Sequence, residues 1–315
     1  MKTHIRSFAL LALLAIALPA AAQSKHKSKH GNRDDEGVTR LDTTVSVSRN
    51  VTVEVSLMSG DIKVTSWDRP QVQIHATSES GDIHLDATPS RVTLSVERDD
   101  GDYGDDNHFE LMVPRDAHVS ASSISGDVSV RGVAEVEATS ISGDVVVAGA
   151  TGRATLTNVS GGLTASDLGS SVKASNVSGD IELSGVAGDL QVSTVSGEMK
   201  LRAIKSSYVR TQTVSGDLEF DGTVDPKGRY EFNSHSGSFN LALPRGMGAT
   251  VSMRGYSGDF NSSCAMMLMP GGTSGEGRSK NMTFQIGGGG ARFSIETFSG
   301  DVTITGCGSS KSKED

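Results

Sequence analysis

One device recurs along this 315-residue chain and limits its fold more than any other: a Ser-Gly dipeptide on a near-regular ladder. The glycines are Gly60, Gly81, Gly126, Gly143, Gly161, Gly179, Gly197, Gly216, Gly237, Gly258 and Gly300. Successive spacings are 21, 45, 17, 18, 18, 18, 19, 21, 21 and 42 residues. Self-similarity near 20 residues is the mark of a solenoid or array, in which each unit buries its apolar face only against its neighbours. The two long gaps are each close to two periods and are expected to hold a degenerate coil or an insertion.

The residue after each glycine is Asp at most turns, with Glu198, Gly162 and Ser238 as the exceptions. The first and third residues beyond it are apolar, as in Ile62/Val64, Val128/Val130, Ile181/Leu183 and Val302/Ile304; Ser262 alone breaks the pattern. The residue between them is polar except at Val146. It gives an outward row that includes Lys63, His84, Ser129, Thr164, Glu182, Lys200, Glu219 and Asn240. Period-two alternation of this kind predicts strands with one buried face. Within 178–195, SGDIELSGV is followed by AGDLQVSTV, so each coil is expected to hold two strands. Glycine supplies the left-handed corner, and Ser and Asp are expected to close it through nearby backbone groups.

The predicted fold is therefore all-β. It is a single-stranded β-solenoid (β-helix) of about 18–21-residue coils over 41–307, with hairpin insertions or caps near both ends. Alternation in 91–97 and 109–113 predicts a hairpin with an acidic tip. A second hairpin is expected from 282–286 and 291–297, capping an open end that would otherwise expose strand edges.

The N-terminus adds a compartment. Lys2 and Arg6 precede an apolar run at 8–18, and Ala20-Ala21-Ala22 follows. This is the pattern of a cleaved signal peptide over 1–22; the run is too short to span a bilayer, and nothing after it is long enough. Residues 23–40 read as a flexible polar linker, with His26 and His30 as solvated side chains, and 308–315 as a polar tail. Cleavage would take the formal charge from −9 to −11, since only Lys2 and Arg6 are lost. That acidity argues against nucleic acid as a partner. Cys264 and Cys307 leave one disulfide or two thiols open.

Chemistry is sparse. No hydrolase elbow, zinc helix or phosphate loop is present. His75, His84, His108, His118 and His235 are scattered. Asp99, Asp100, Asp102, Asp105 and Asp106 make a weak calcium candidate, without the full spacing of a calcium loop. Cys264, Met266, Met267 and Met269 are soft ligands in principle and read better as apolar filler. No catalytic residue, metal or cofactor is assigned.

The repeated Ser-Gly-Asp-apolar-x-apolar units resemble a bacterial β-strand-repeat family of unknown function labelled "putative adhesin". The opening SGDIKVTSWDRP at 59–70 and the ending GGGARFSIETFSGDVTI at 288–304 carry the same resemblance, which covers roughly 41–305. It implies a β-solenoid of the cell envelope and brings no catalytic residues with it. The expected function is an exported structural or interaction protein of the envelope, adhesin-like, whose partners are envelope or surface components. The alternative is a β-helix enzyme or binding protein acting on envelope polysaccharide.

Overall fold

A computed structural model describes residues 27–33, 38–79, 81–98, 107–269 and 280–306. Among these there are only strands, turns and bends, arranged as one 15-stranded and one 14-stranded sheet. Each Ser-Gly turn carries the chain from one sheet to the other. The strand before it (for example Val172–Ser178) belongs to the pre-turn sheet, and the short strand after it (Ile181–Ser184) to the post-turn sheet.

Both sheets climb together. In the pre-turn sheet His118–Ser125 pairs in parallel with Glu135–Ser142, and the ladder continues through Ala154–Ser160, Val172–Ser178, Leu190–Ser196, Tyr208–Ser215 and Arg229–Ser236. The post-turn strands do the same, so Val145, Leu163, Ile181, Met199 and Leu218 stand in one column. A pair of strands joined at a turn is one rung. Period-two alternation points alternate side chains of both sheets inward, and these inner columns are buried along the stack as far as Val302 and Ile304; at the rung beyond them Phe260 is half-buried and Ser262 exposed.

The inner columns also show how size is matched. In the pre-turn sheet Ala138, Leu156, Ala174 and Val192 follow one another in register, alternating small and large. Toward the far end the core turns aromatic. Phe220, Tyr230, Phe232 and Phe293 pack together, with Tyr230 stacked on Phe293 at 4.6 Å. The fully buried Tyr230 hydroxyl donates to the Ser206 carbonyl at 3.0 Å and accepts the Asp225 N–H at 2.9 Å. Burial pushes its pKa up.

The ends depart from the sequence expectations. Strands 91–98 and 107–114 are not a hairpin: the first pairs with Gly81–Ala87 in the pre-turn sheet, the second with Gln71–Ser78 in the post-turn sheet. Each also runs parallel to one strand of the first rung, Thr52–Ser59 or Asp61–Trp67. The long gap is thus a cap whose alternating strands serve different sheets. Gly81 is not on the turn ladder, because its strand follows an antiparallel course in the other sheet, and His84 leaves the outward row with it. The expected linker is partly strand: Lys27–His30 pairs with Gly81–Ala87, and Asn32–Arg33 with Thr39–Ser46. Residues 1–26 lie outside the described residues.

At the other end, Lys280–Ile286 and Ala291–Ser299 do not pair with each other. Ala249–Ser257 lies between them, antiparallel to the first and parallel to the second. The last rung, 291–305, is thereby inserted between the rungs of Gly237 and Gly258. Lys280–Ile286 then covers the edge of the pre-turn sheet, and Met266–Leu268 adds to it.

Candidate interaction surface

The turn corner is the most repeated structure in the molecule. Its glycines stack directly on one another. A Cβ built on Gly179 would lie 2.2 Å from the Gly161 carbonyl oxygen, and one on Gly143 would lie 2.3 Å from that of Gly126. Gly60, Gly126, Gly143, Gly161, Gly179 and Gly197 also have φ between +108° and +139°, a region side chains rarely enter. Their N–H groups donate up the stack, as from Gly126 to the Ser142 carbonyl at 2.8 Å.

The acids do not close their own turns. Asp61, Asp127, Asp144, Asp180, Asp217 and Asp301 each reach along the stack and accept the backbone N–H of the equivalent residue one rung away. Asp61 accepts from Asp127 at 2.9 Å, Asp127 from Asp144 at 2.7 Å, Asp144 from Gly162 at 2.7 Å and Asp217 from Ser238 at 2.7 Å. The site of donation is a main-chain N–H, so the recipient position tolerates Gly and Ser. Asp144→Ala is expected to cost about 1–2 kcal/mol, because it strips a charge-assisted acceptor from that N–H, while Asp144→Asn keeps an acceptor oxygen and costs less. Thermal melts followed by circular dichroism check this; equal losses for Ala and Asn would show that the oxygen is not what matters.

A second ladder lies inside, three residues before each glycine. Ser123 and Ser140 donate from Oγ to the carbonyls of Gly60 and Gly126, at 3.1 and 3.0 Å. Asn158 and Asn176 donate from Nδ2 to those of Gly143 and Gly161, both at 3.0 Å. These buried side chains satisfy the glycine carbonyls that face the interior. Between this inner ladder and the serine stands an exposed apolar row: Met58, Ile124, Ile141, Val159, Val177, Val195 and Val214.

Away from this apolar row the outer faces are polar and laid out in rows. On the post-turn sheet Lys63 meets Glu110 at 2.8 Å and holds that carboxyl below its usual range, chiefly through the hydrogen bond. Glu182 meets Arg202 at 2.7 Å. Lys200 meets Glu198 at 2.6 Å, which raises the lysine pKa. The pre-turn face holds two open hollows. One, of about 320 Å³, has Glu54, Glu137 and Arg153 around a His118–Glu135 contact of 3.1 Å. The other, of about 380 Å³, is lined by Lys173, Gln191, Ser193, Tyr208, Arg210 and Gln212. Sequence reasoning followed only the strand after each turn and so missed this face. Counting four and six residues back from each glycine would have found much of it.

The other sequence candidates scatter. His75 bonds Asp42 at 2.5 Å and, with His108, lies near Glu110, whereas His118 meets Glu135 on the other sheet and His235 stacks on Phe298. Among the described residues no three His, Cys, Asp or Glu side chains are grouped to hold a metal ion. Asp99, Asp100, Asp102, Asp105 and Asp106 lie outside the described residues. Cys264 is disulfide-bonded, and the sequence has one other cysteine, Cys307, also outside them. Met266 rests on the core, but Met267 and Met269 are exposed, so the reading as apolar filler holds only for the first of them.

A sequence profile described as Toastrack DUF4097 matches residues 103–305. The chain belongs to the Toastrack family. The matched span takes in every rung from His118–Ser125 to Val302–Thr305. No curated protein matches this Toastrack chain. Among solved structures, one from Clostridium sporogenes ATCC 15579, described as a "putative cell adhesion protein", is similar at 8% identity. The likeness covers 84% of this chain and 99% of that one, with a TM-score of 0.22. Among the described residues no helix is long and apolar enough to cross a membrane.

Proposed function

We propose that this Toastrack chain is an exported protein of the bacterial cell envelope, adhesin-like and non-catalytic, working through its long outer faces. Its repeating unit is a β-solenoid coil of about 18–21 residues. One observation carries the reading. The chemically active side chains are spread rung by rung in register, as in the Glu182–Arg202 and Lys200–Glu198 pairs, rather than gathered in one cleft. A row of this kind offers many weak contacts to a long partner, such as an envelope polymer, and gains by their number. The N-terminal signal pattern supplies the export route.

The test is surface attachment by deletion strains complemented with variants of the full chain. Single Ala changes at Glu182, Lys200 and Glu219 are expected to reduce attachment less than twofold. Reversing all three charges together is expected to reduce it about tenfold, because the field of the face is a sum.

A second reading, a polysaccharide site, is favoured by the hollow around Tyr208 and Arg210, which joins an aromatic ring, two cations and two amides. Arg210→Ala abolishing attachment with an unchanged melt would select it and reject the distributed face.

A further inference from the structure

Among the described residues nothing covers the apolar row from Met58 to Val214. Its members are 38–53% exposed, and the strand registers put them side by side on successive rungs. The row continues into His235 and Phe298, whose rings stack at 4.9 Å with planes 7° apart. Strand propensity does not require it, because Thr139 and Thr157, two residues earlier on the same face, meet the preference for β-branching with a hydroxyl. The exposed apolar area is on the order of 500 Å², a continuous patch of the size that marks an interaction site.

We propose that this row is the seam of a parallel dimer, in which two copies lie side by side with their rods pointing the same way. Two observations commit the occupant. The first is period: a second copy repeats at the same ~4.8 Å and can match every rung, whereas a partner without this repeat would meet few of them.

The second is charge. One flank of the row is the acid ladder, with Asp127, Asp144 and Asp180 exposed; the other is the hydroxyl row of Ser122, Thr139 and Thr157. A two-fold axis along the rod lays each acid ladder over the partner's hydroxyls, which donate to carboxylates. A two-fold axis across the rod would set acid against acid. The first arrangement forms charge-assisted hydrogen bonds and the second repels.

The area suffices. Nine rungs, with eight spacings of ~4.8 Å, give a strip about 40 Å long, which at ~18 Å width covers about 700 Å² per copy, close to a standard interface.

Sedimentation equilibrium of the chain from Gln23 is expected to show a dimer at micromolar concentration. Val159→Asp with Val177→Asp is expected to give a monomer that keeps the parent's circular-dichroism spectrum and melts cooperatively, lower only by the stabilisation that association supplied. Val159→Thr with Val177→Thr, which keeps the β-branch, is expected to raise the dissociation constant at least tenfold; it decides the matter should the Asp pair unfold. Ile124→Cys reports orientation. The parallel seam brings residue 124 against its own copy and yields an oxidised covalent dimer, while the crosswise seam sets it near His235. A monomer at all concentrations, or a dimer indifferent to both double variants, overturns the proposal. A variant-sensitive dimer without the Ile124→Cys cross-link overturns the parallel arrangement.

Discussion

Gly179→Ala is expected to destabilise the protein by on the order of 4 kcal/mol, beyond the range of most single substitutions. Two costs add. The new Cβ would meet the Gly161 carbonyl oxygen at 2.2 Å, a contact between two backbone-anchored groups that no rotamer relieves. The residue would also be held at φ +127°, where a side chain is strained. Moving either strand away would lengthen the hydrogen bond from the Gly161 N–H to the Ser178 carbonyl, now 3.3 Å, and disturb the Asn176 amide that donates to Gly161. Gly246→Ala is the control. Its φ is +75° but no atom lies within 4 Å, so only the conformational cost of about 1 kcal/mol applies. Thermal melts of the two variants measure the difference. Equal shifts would show that close glycine stacking does not hold the corner.

Deleting Glu182 alone is expected to be worse than deleting the eighteen residues 162–179. The short strand Ile181–Ser184 buries Ile181 and Leu183 completely. Removing the residue between them moves one of the two to the wet face, a loss of about 2–5 kcal/mol. It also shifts the strand against Leu163–Ser166 and Met199–Ile204, its neighbours on either side.

The eighteen-residue deletion removes one rung and joins Gly161 to Asp180. The strand Ala154–Ser160 would then stack on Leu190–Ser196, and Val145–Ala148 on Ile181–Ser184, in the same register. Its cost is that of mismatched neighbours. Leu156 would meet Val192 without the intervening Ala174, a modest overpacking. Because each rung touches only the next, the shorter rod is expected to melt cooperatively within several degrees of the parent. Comparable damage from the two deletions would refute the rung as the unit of stability.

Local chemistry accounts for much of the rod. A glycine at each corner and apolar residues at alternate positions beyond it leave a strand one way to hide its side chains. Stacked rungs with inward columns such as Val145, Leu163 and Ile181 were therefore legible in the sequence. Both hairpin expectations failed for a common reason. Alternation marks a strand and its buried face but not the sheet that receives it, so 91–98 and 107–114 read as partners while lying in different sheets. Gly81 has the same three-residue signature as Gly60, and only the antiparallel course of its strand removes it from the ladder.

The candidate surface divides in the same way. Acids after the glycines could be counted in the sequence, yet their partner proved to be the next rung's N–H, a contact between residues 17 to 66 positions apart. The hollow around Arg210 and the row ending at Val214 likewise gather residues from successive rungs. The sequence by itself determined what each rung is, because a turn and an alternating strand are set by neighbouring residues. Tertiary structure alone decided the order of the rungs at both ends, with 291–305 slipping in between its predecessors, and it decided what the rows present to a partner. Pairing energies along a repeated ladder are nearly alike from rung to rung, so only the packing of whole strands selects the order and aligns the side chains.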